Sequence, residues 1–280
     1  MDLAENPVQF ATLSFHKRDT IRLLQFPDQL YTSLQPAILA SWPPGIEASG
    51  PFADSPGSYH FKLKGRPFAW RTSQDSVGGA RLVRDLLAFL HHFNWDLVMP
   101  LSCAQRLSSK DLLIFRPRPP SAAPSLPMEW LAVAPAKSDR LFIIGDSQPA
   151  FETPRAVSEH TPNHVVWLTM TLTRTLQELD VFQSSETKYN WVEYKLKGRP
   201  WMKGGEDGVK TRIVILRILE LLHHCGWSAH TSVQHRTGND DRRMLDTMFF
   251  MRPKGLAVDS PPMRSPLQPV PGELPPYSTK

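Results

Sequence analysis

KLKGRPF at residues 62–68 and KLKGRPW at residues 195–201 are one heptapeptide present twice, with six of its seven residues unchanged. An apolar stretch, a pair of histidines and a tryptophan follow each copy: His91, His92 and Trp95 in the first, His223, His224 and Trp227 in the second. The shared order and spacing indicate a tandem duplication. Two domains are also the expectation for a chain of 280 residues.

The first copy of the heptapeptide lies at the end of a predicted strand. Residues 59–66 alternate between apolar side chains and basic ones, which is typical of a strand with one buried face. The glycine and the proline that follow predict a defined turn or bulge at the end of this strand.

The sequence around each heptapeptide predicts the same series of elements. In the first copy a hairpin spans residues 10–26, Asp28 serves as the N-cap of a helix, residues 43–58 form a loop, and a second helix follows Gly78 and Gly79. The second copy repeats this series. The predicted fold class is α+β, with two tandem repeats of a β-β-α-β-α-β-β unit, mostly antiparallel sheets, and helices on one face.

The two long helices differ in polarity. In the first, apolar residues recur at helical spacing along one face, as in Val83, Leu86, Leu87 and Leu90. In the second, residues 209–224 are apolar on most faces. This difference predicts that the second helix is the more deeply buried of the two.

Proline-rich stretches divide the chain. We expect a first α+β repeat at 8–118, a linker at 119–127, a second repeat at 128–254, and a disordered tail at 255–280. The tail carries Ser-Pro pairs and a Pro-x-x-Pro sequence, so an SH3-type domain or a proline-directed kinase is a candidate partner there.

Composition favours a cytoplasmic protein, with a peripheral membrane or nuclear location as alternatives. The net charge of +5 is mild and permits an anionic partner. The N-terminal residues do not resemble a signal peptide, Asp2 excludes myristoylation, and no apolar run reaches the length of a transmembrane segment. Cys103 and Cys225 occupy non-equivalent positions in the two copies, which favours a reducing compartment.

The basic residues of the two heptapeptides are the candidate binding site. We assign to it, with one aromatic residue, Lys62, Lys64, Arg66, Lys195, Lys197, Arg199 and Trp201. Such a surface suits the phosphates of lipid headgroups or nucleic acid. The other interpretation is structural, because the outer face of a one-sided sheet is normally polar.

Catalytic and metal-binding patterns are not found in the sequence. Gly-Asp-Ser at residues 145–147 resembles the nucleophile of GDSL-type hydrolases, but prolines follow it and no late Asp-x-x-His accompanies it. The paired histidines suit the negative ends of helix dipoles better than a metal ion, because adjacent residues on a helix diverge. We therefore expect no catalytic residue, no metal and no cofactor.

Short strings near both ends of the duplicated region resemble raftlin proteins. These are Phe10–Ser14 with Ile21–Leu24 and Asp28–Leu30, and Gly226-Trp227 with Met251–Pro253. The resemblance implies duplicated α+β units held at the cytoplasmic face of a membrane by N-terminal acylation. In place of the acylated Met-Gly-Cys start, this chain has Met1-Asp2-Leu3.

The residues that carry the fold are duplicated, whereas no reactive set is. This favours a non-enzymatic adaptor whose two domains bind a protein or an anionic surface. One alternative is a nucleic-acid-binding protein that uses the basic strand faces. The other is a protein that associates peripherally with a membrane.

Overall fold

The computed structural model describes residues 9–52, 55–69, 73–103, 110–119, 126–145, 164–188, 191–202, 207–236 and 245–255. They form two units with the same order of elements, which confirms the α+β class and the tandem arrangement. The middle of the predicted linker, the tail with its predicted SH3-type and kinase sites, and Ser147 all lie outside the described residues.

Unit 1 runs from β1 to β6. Its elements are β1 Ala11–His16, β2 Thr20–Leu24, α1 Asp28–Ser41, β3 Ile46–Pro51, β4 Ser58–Leu63, α2 Ser73–His92, β5 Trp95–Leu101 and β6 Leu112–Pro117. The predicted loop at 43–58 is wrong, because it contains β3. Asp28 is also not the N-cap of α1; Pro27 holds that position and Asp28 lies in the first turn.

Unit 2 repeats this order. Its elements are β7 Met128–Ala136, β8 Arg140–Ile144, α3 His164–Glu178, β9 Phe182–Lys188, β10 Trp191–Leu196, a 3-10 turn Pro200–Met202, α4 Asp207–His224, β11 Ser228–Val233 and β12 Thr247–Pro253. Each unit therefore has one strand more than the predicted β-β-α-β-α-β-β series. The additional strands, β3 and β9, are edge strands whose side chains are largely exposed.

Each unit forms one antiparallel six-stranded sheet, and the two sheets have the same strand order. Sheet 1 runs β3-β4-β2-β1-β6-β5, and sheet 2 runs β9-β10-β8-β7-β12-β11. The strand that ends in the heptapeptide, β4 or β10, lies next to the edge in both. Since strands pair equivalently in the two units, positions in one can be matched to positions in the other.

The units stack as sheet 1, α1 with α2, sheet 2, and α3 with α4. One core joins sheet 1, α1 and α2 to a face of sheet 2 through Trp130, Phe142 and Phe249. A second core joins the other face of sheet 2 to α3 and α4. Within unit 2 the helices lie on one face of the sheet, as predicted, and the other face of sheet 2 is covered by α2 of unit 1.

The prediction that the second long helix is the more deeply buried is wrong. Between Val77 and Leu90 nearly every side chain of α2 is buried, because the helix lies between the two sheets. α4 is the outermost layer of the stack and buries only one face, through Val214, Ile218 and Leu222.

Gly78 and Gly79 lie inside α2 and do not precede it, as the sequence had indicated. A Cβ at Gly79 would lie 2.1 Å from the carbonyl oxygen of Pro67, and one at Gly78 would lie 2.7 Å from the ring of Trp42. Both positions thus require glycine because the end of the heptapeptide and α1 approach the helix closely.

Candidate functional site

The backbone of each heptapeptide fastens the end of its strand to the turn of the hairpin. Two amides in each unit donate to carbonyl oxygens of that turn. These hydrogen bonds are Leu63 N to Asp19 O at 2.8 Å, Phe68 N to Arg18 O at 3.0 Å, Leu196 N to Asp139 O at 2.8 Å, and Trp201 N to Ser138 O at 3.2 Å. The repeated sequence therefore has the same structural role twice.

The glycine of the heptapeptide provides the predicted turn. Gly65 and Gly198 have φ of +79° and +73°, a region that favours glycine. The aromatic residue at the end is buried in unit 1, where it is Phe68, and half-buried in unit 2, where Nε1 of Trp201 donates to Arg140 O at 2.7 Å. Trp201 is therefore held in the fold.

Two of the candidate cations are engaged by carboxylates. Lys62 pairs with Glu47 and Lys197 with Asp180, each at 2.6 Å. The hydrogen bond to Glu47 raises the pKa of Lys62. The pKa of Asp180 is lowered, first by its hydrogen bond with Lys197 and also by the charge of Lys210. Both pairs are exposed, so they contribute little to stability.

The other candidate cations project at the surface. Lys64, Arg66 and Arg199 are exposed, and Lys195 is half-buried. They are brought together within each heptapeptide, but the two heptapeptides end strands of different sheets. Lys64, Arg66 and Arg199 therefore lie in the turns after β4 and β10, whereas Lys195 lies within β10.

Sequence reasoning missed an apolar ridge on the outer side of α4. Val209, Ile213 and Leu216, here called the α4 ridge, are 48%, 41% and 56% exposed. They lie opposite the buried line of Val214 and Ile218, so they face away from sheet 2. Two exposed methionines, Met170 on α3 and Met202 before α4, belong to the same outer layer.

Alignment of the two long helices by their histidine pairs shows what the ridge corresponds to. Val209, Ile213 and Leu216 take the places of Val77, Arg81 and Arg84 in α2. In α2 this side packs on sheet 2, and Arg84 donates to the carbonyl oxygens of Ile144, at 3.3 Å, and of Gly145. This alignment was the sequence signal that could have identified the ridge.

A buried polar strap after β11 joins the units. Asp111 and Gln234 exchange two hydrogen bonds, of 2.9 Å and 2.7 Å. The next residue, His235, is buried near Phe15 and Phe249, and its burial holds the pKa well below 6.5. Arg236 donates to Pro135 O at 3.0 Å, and its burial lowers its pKa to about 10.

Metal-ligating side chains do not gather in groups of three or more among the described residues. The histidine pairs end α2 and α4, and Nδ1 of His224 lies 2.6 Å from the carbonyl oxygen of Glu220, as expected for a helix end. Both cysteines are free; Cys103 is exposed and Cys225 is buried. None of the described helices is long and apolar enough to span a membrane.

A protein-family model for a single domain matches the chain twice, over residues 9–116 and 129–251. The two matches coincide with unit 1 and unit 2, and together they cover well over half of the chain. No curated protein and no solved structure matches it. The comparisons do not link the chain to raftlin proteins, so that resemblance stays a prediction.

Proposed function

The chain belongs to the family of that domain, which it carries twice, and from this premise we propose that it is a non-enzymatic adaptor that binds a protein through the outer side of α3 and α4. The cytoplasm is the location that we propose with it, since both cysteines are free thiols. The stack fixes the orientation of this surface, because α3 and α4 lie against a sheet that is itself packed on α2.

Exposure of the α4 ridge is the observation that carries this proposal. Three large aliphatic side chains in one line, with two exposed methionines in the same layer, leave an apolar surface in water. Such a surface on a soluble domain is typical of a protein interaction site. The equivalent side of α2 is covered within the chain, so this side of the helix is one that the fold uses for packing.

The experiment is site-specific photo-cross-linking in cells, with a photoreactive phenylalanine at Leu216 and, as control, at Thr12 on the outer face of sheet 1. We expect a discrete adduct from Leu216 only. The partner identified in this adduct, once it is produced separately, should bind the purified chain and should not bind its Leu216→Glu variant. Equal cross-linking at both positions, or binding that survives Leu216→Glu, would contradict the proposal.

An anionic surface is the second candidate, whether it is a membrane of the kind that the raftlin resemblance implies or a nucleic acid. The observation in its favour is that Lys64, Arg66 and Arg199 are exposed on a backbone that is fixed by hydrogen bonds. A preset array of cations loses less entropy on binding than a mobile one.

Co-sedimentation with vesicles containing phosphatidylserine, and retention on a mixed-RNA resin, test this candidate. Binding should fall as salt rises and should be lost when Lys64, Arg66 and Arg199 are changed to Glu together. A variant with Glu at three exposed sites outside the heptapeptides, Lys137, Arg174 and Lys254, has the same net charge and serves as the control. Equal loss in both variants would refute a role for the heptapeptides.

A further inference from the structure

The width of the α4 ridge restricts what can bind there. Val209, Ile213 and Leu216 follow the spacing i, i+4, i+7, which forms a single apolar line of about 10 Å along the helix. This narrow line is the spacing found where one helix packs lengthwise against another. A broader apolar face would be expected if α4 were to pack against a sheet.

The residues around the ridge would also prevent a sheet from packing against α4. In α2 the side chains that lie near sheet 2 include Ala80 and Ala88, both buried, and their small size lets the sheet approach. At these positions α4 has Arg212, which lies beside the ridge, and Glu220, which ends the ridge four residues after Leu216; both are exposed. Long charged side chains at these two positions hold a flat sheet away, whereas a helix can pack along the apolar line that they border.

Among the described side chains, the charges around the ridge are mostly positive. Lys210 and Arg212 are exposed beside it, and Arg217 lies on the same helix in an ion pair with Glu220. A partner with carboxylates on both sides of its apolar line would complement this rim, whereas a basic partner would be repelled.

The outer face of sheet 1 and the ridge of a second copy do not complement the α4 ridge. The outer face of sheet 1 is polar and includes the cations Arg22 and Lys62. The ridge of a second copy would bring the same rim of cations against the first. Both arrangements would bring cations against cations. We therefore infer that the α4 ridge binds a different protein.

We propose that the α4 ridge binds an acidic amphipathic helix of another protein, with leucine-like residues along its seam and glutamate or aspartate beside them. This inference rests on the proposed function and specifies the partner. Met170 and Met202 lie exposed in the same layer, and the flexible methionine side chain adapts to partners of differing shape.

Two synthetic helices test the inference against the full chain by fluorescence anisotropy. Both carry leucines at i, i+4, i+7 and i+11; one has glutamates at the flanking positions and the other has lysines. The glutamate helix should bind at least ~10-fold more tightly, which corresponds to one or two favourable charge pairs. Leu216→Glu should weaken the binding of the glutamate helix by at least ~10-fold, because the substitution removes an apolar contact and adds charge repulsion. Leu39→Glu, at an exposed leucine of α1, should leave it unchanged.

Three other results would contradict the inference, each in a different part. Equal binding of the two helices would overturn the acidic character of the partner and leave the docking surface in place. Absence of binding by either helix would overturn the helical partner, and the photo-cross-linking at Leu216 would then decide the proposed function independently. Sedimentation velocity completes the test: a dimer that Leu216→Glu converts to a monomer would show that the occupant is a second copy, contrary to the inference.

Discussion

Strand β1 turns Thr12, Ser14 and His16 outward, whereas the equivalent residues of β7 are three alanines buried against α2. These alanines are Ala132, Ala134 and Ala136. The match follows from the register, because Thr12 pairs with Leu24 as Ala132 pairs with Ile144. One face of the same fold is therefore polar where it meets water and apolar where a helix covers it.

The long helices show the opposite pattern. The covered helix has Arg81 and Arg84 on the side that faces sheet 2, while the uncovered helix has Ile213 and Leu216 at the same positions. Exposure to water explains why the outer face of sheet 1 is polar, but it does not explain why the exposed side of α4 is apolar. The uncovered side of sheet 1 therefore has the composition of a solvent surface, whereas the uncovered side of α4 has the composition of a contact surface.

The largest expected effect comes from a charge placed on the covered face of sheet 2. Ala132→Glu puts a carboxylate under α2, where the guanidinium of Arg84 is already engaged by Asp85 and by the carbonyl oxygen of Ile144, and we expect a loss of at least about 4 kcal/mol in the free energy of unfolding. The matched change Thr12→Glu should stay within about 1 kcal/mol. Urea denaturation followed by far-UV circular dichroism measures both, and similar losses would show that the two faces are equally exposed.

An exchange of residues between the helices tests the comparison more directly. Arg84→Leu removes the guanidinium that lies 2.7 Å from the buried Asp85 in the native chain and leaves only the charge of Arg81 to act on that carboxylate, which should cost about 3 kcal/mol. Leu216→Arg, the reverse exchange in α4, should change stability by less than about 0.5 kcal/mol.

The double variant Arg84→Leu with Asp85→Asn provides the control for this exchange, since it also removes the carboxylate with which Arg84 pairs. It should regain part of the stability that Arg84→Leu loses. A double variant no more stable than the single one would show that Arg84 acts through packing rather than through its charge.

Local features of the fold were predictable from the sequence. The duplication, both hairpins and strands β4 and β10 follow from repeated residues and alternating polarity. Strands β3 and β9 could not be predicted, because their polar edge sequences show neither alternation nor apolar runs. They form because a neighbouring strand offers hydrogen bonds, which single-strand periodicity does not reveal.

The candidate site was predictable only in its backbone. The glycine and the proline of the heptapeptide indicate the turn that the structure contains, whereas the apolar character of α4 predicts a burial that the structure does not show. Burial depends on the layer that a helix occupies in the stack, and that order is set by packing between residues far apart in sequence, such as Ala88 and Ala134, which belong to one core. The sequence of one helix does not contain this information.

A smaller effect is expected where the two helices approach their heptapeptides. At Gly79 a methyl group would lie 2.1 Å from the carbonyl oxygen of Pro67, while at the equivalent position Thr211 donates to the carbonyl oxygen of Pro200 at 2.7 Å. Gly79→Ala should therefore destabilise by about 2 kcal/mol, although alanine is the better helix former. Thr211→Ala should cost about 1 kcal/mol through the lost hydrogen bond. Thermal unfolding measures both, and a stabilised Gly79→Ala variant would contradict this packing.

The smallest expected effect is that of pH: acid should weaken the packing of sheet 2 against α2 and unit 1. His235 is buried in the contact between units, and His230, beside Trp130, has its pKa lowered to about 4, mainly by burial. A lowered pKa keeps a histidine neutral in the folded chain, while the unfolded chain takes up protons below about pH 6.5. Stability is therefore retained above pH 6.5 and decreases as the pH falls toward 4.

Between pH 7 and pH 5.5 each histidine that stays neutral in the fold should account for a loss of about 1 kcal/mol, because its unfolded form is protonated over this interval. Urea midpoints at the two pH values measure the slope. His235→Phe keeps an aromatic ring near Phe15 and Phe249 and removes the proton uptake, so its slope should be shallower than that of the wild type. An unchanged slope would mean that His235 gains a proton within the folded stack, and that the contact covering α2 admits water, as the outer side of α4 does.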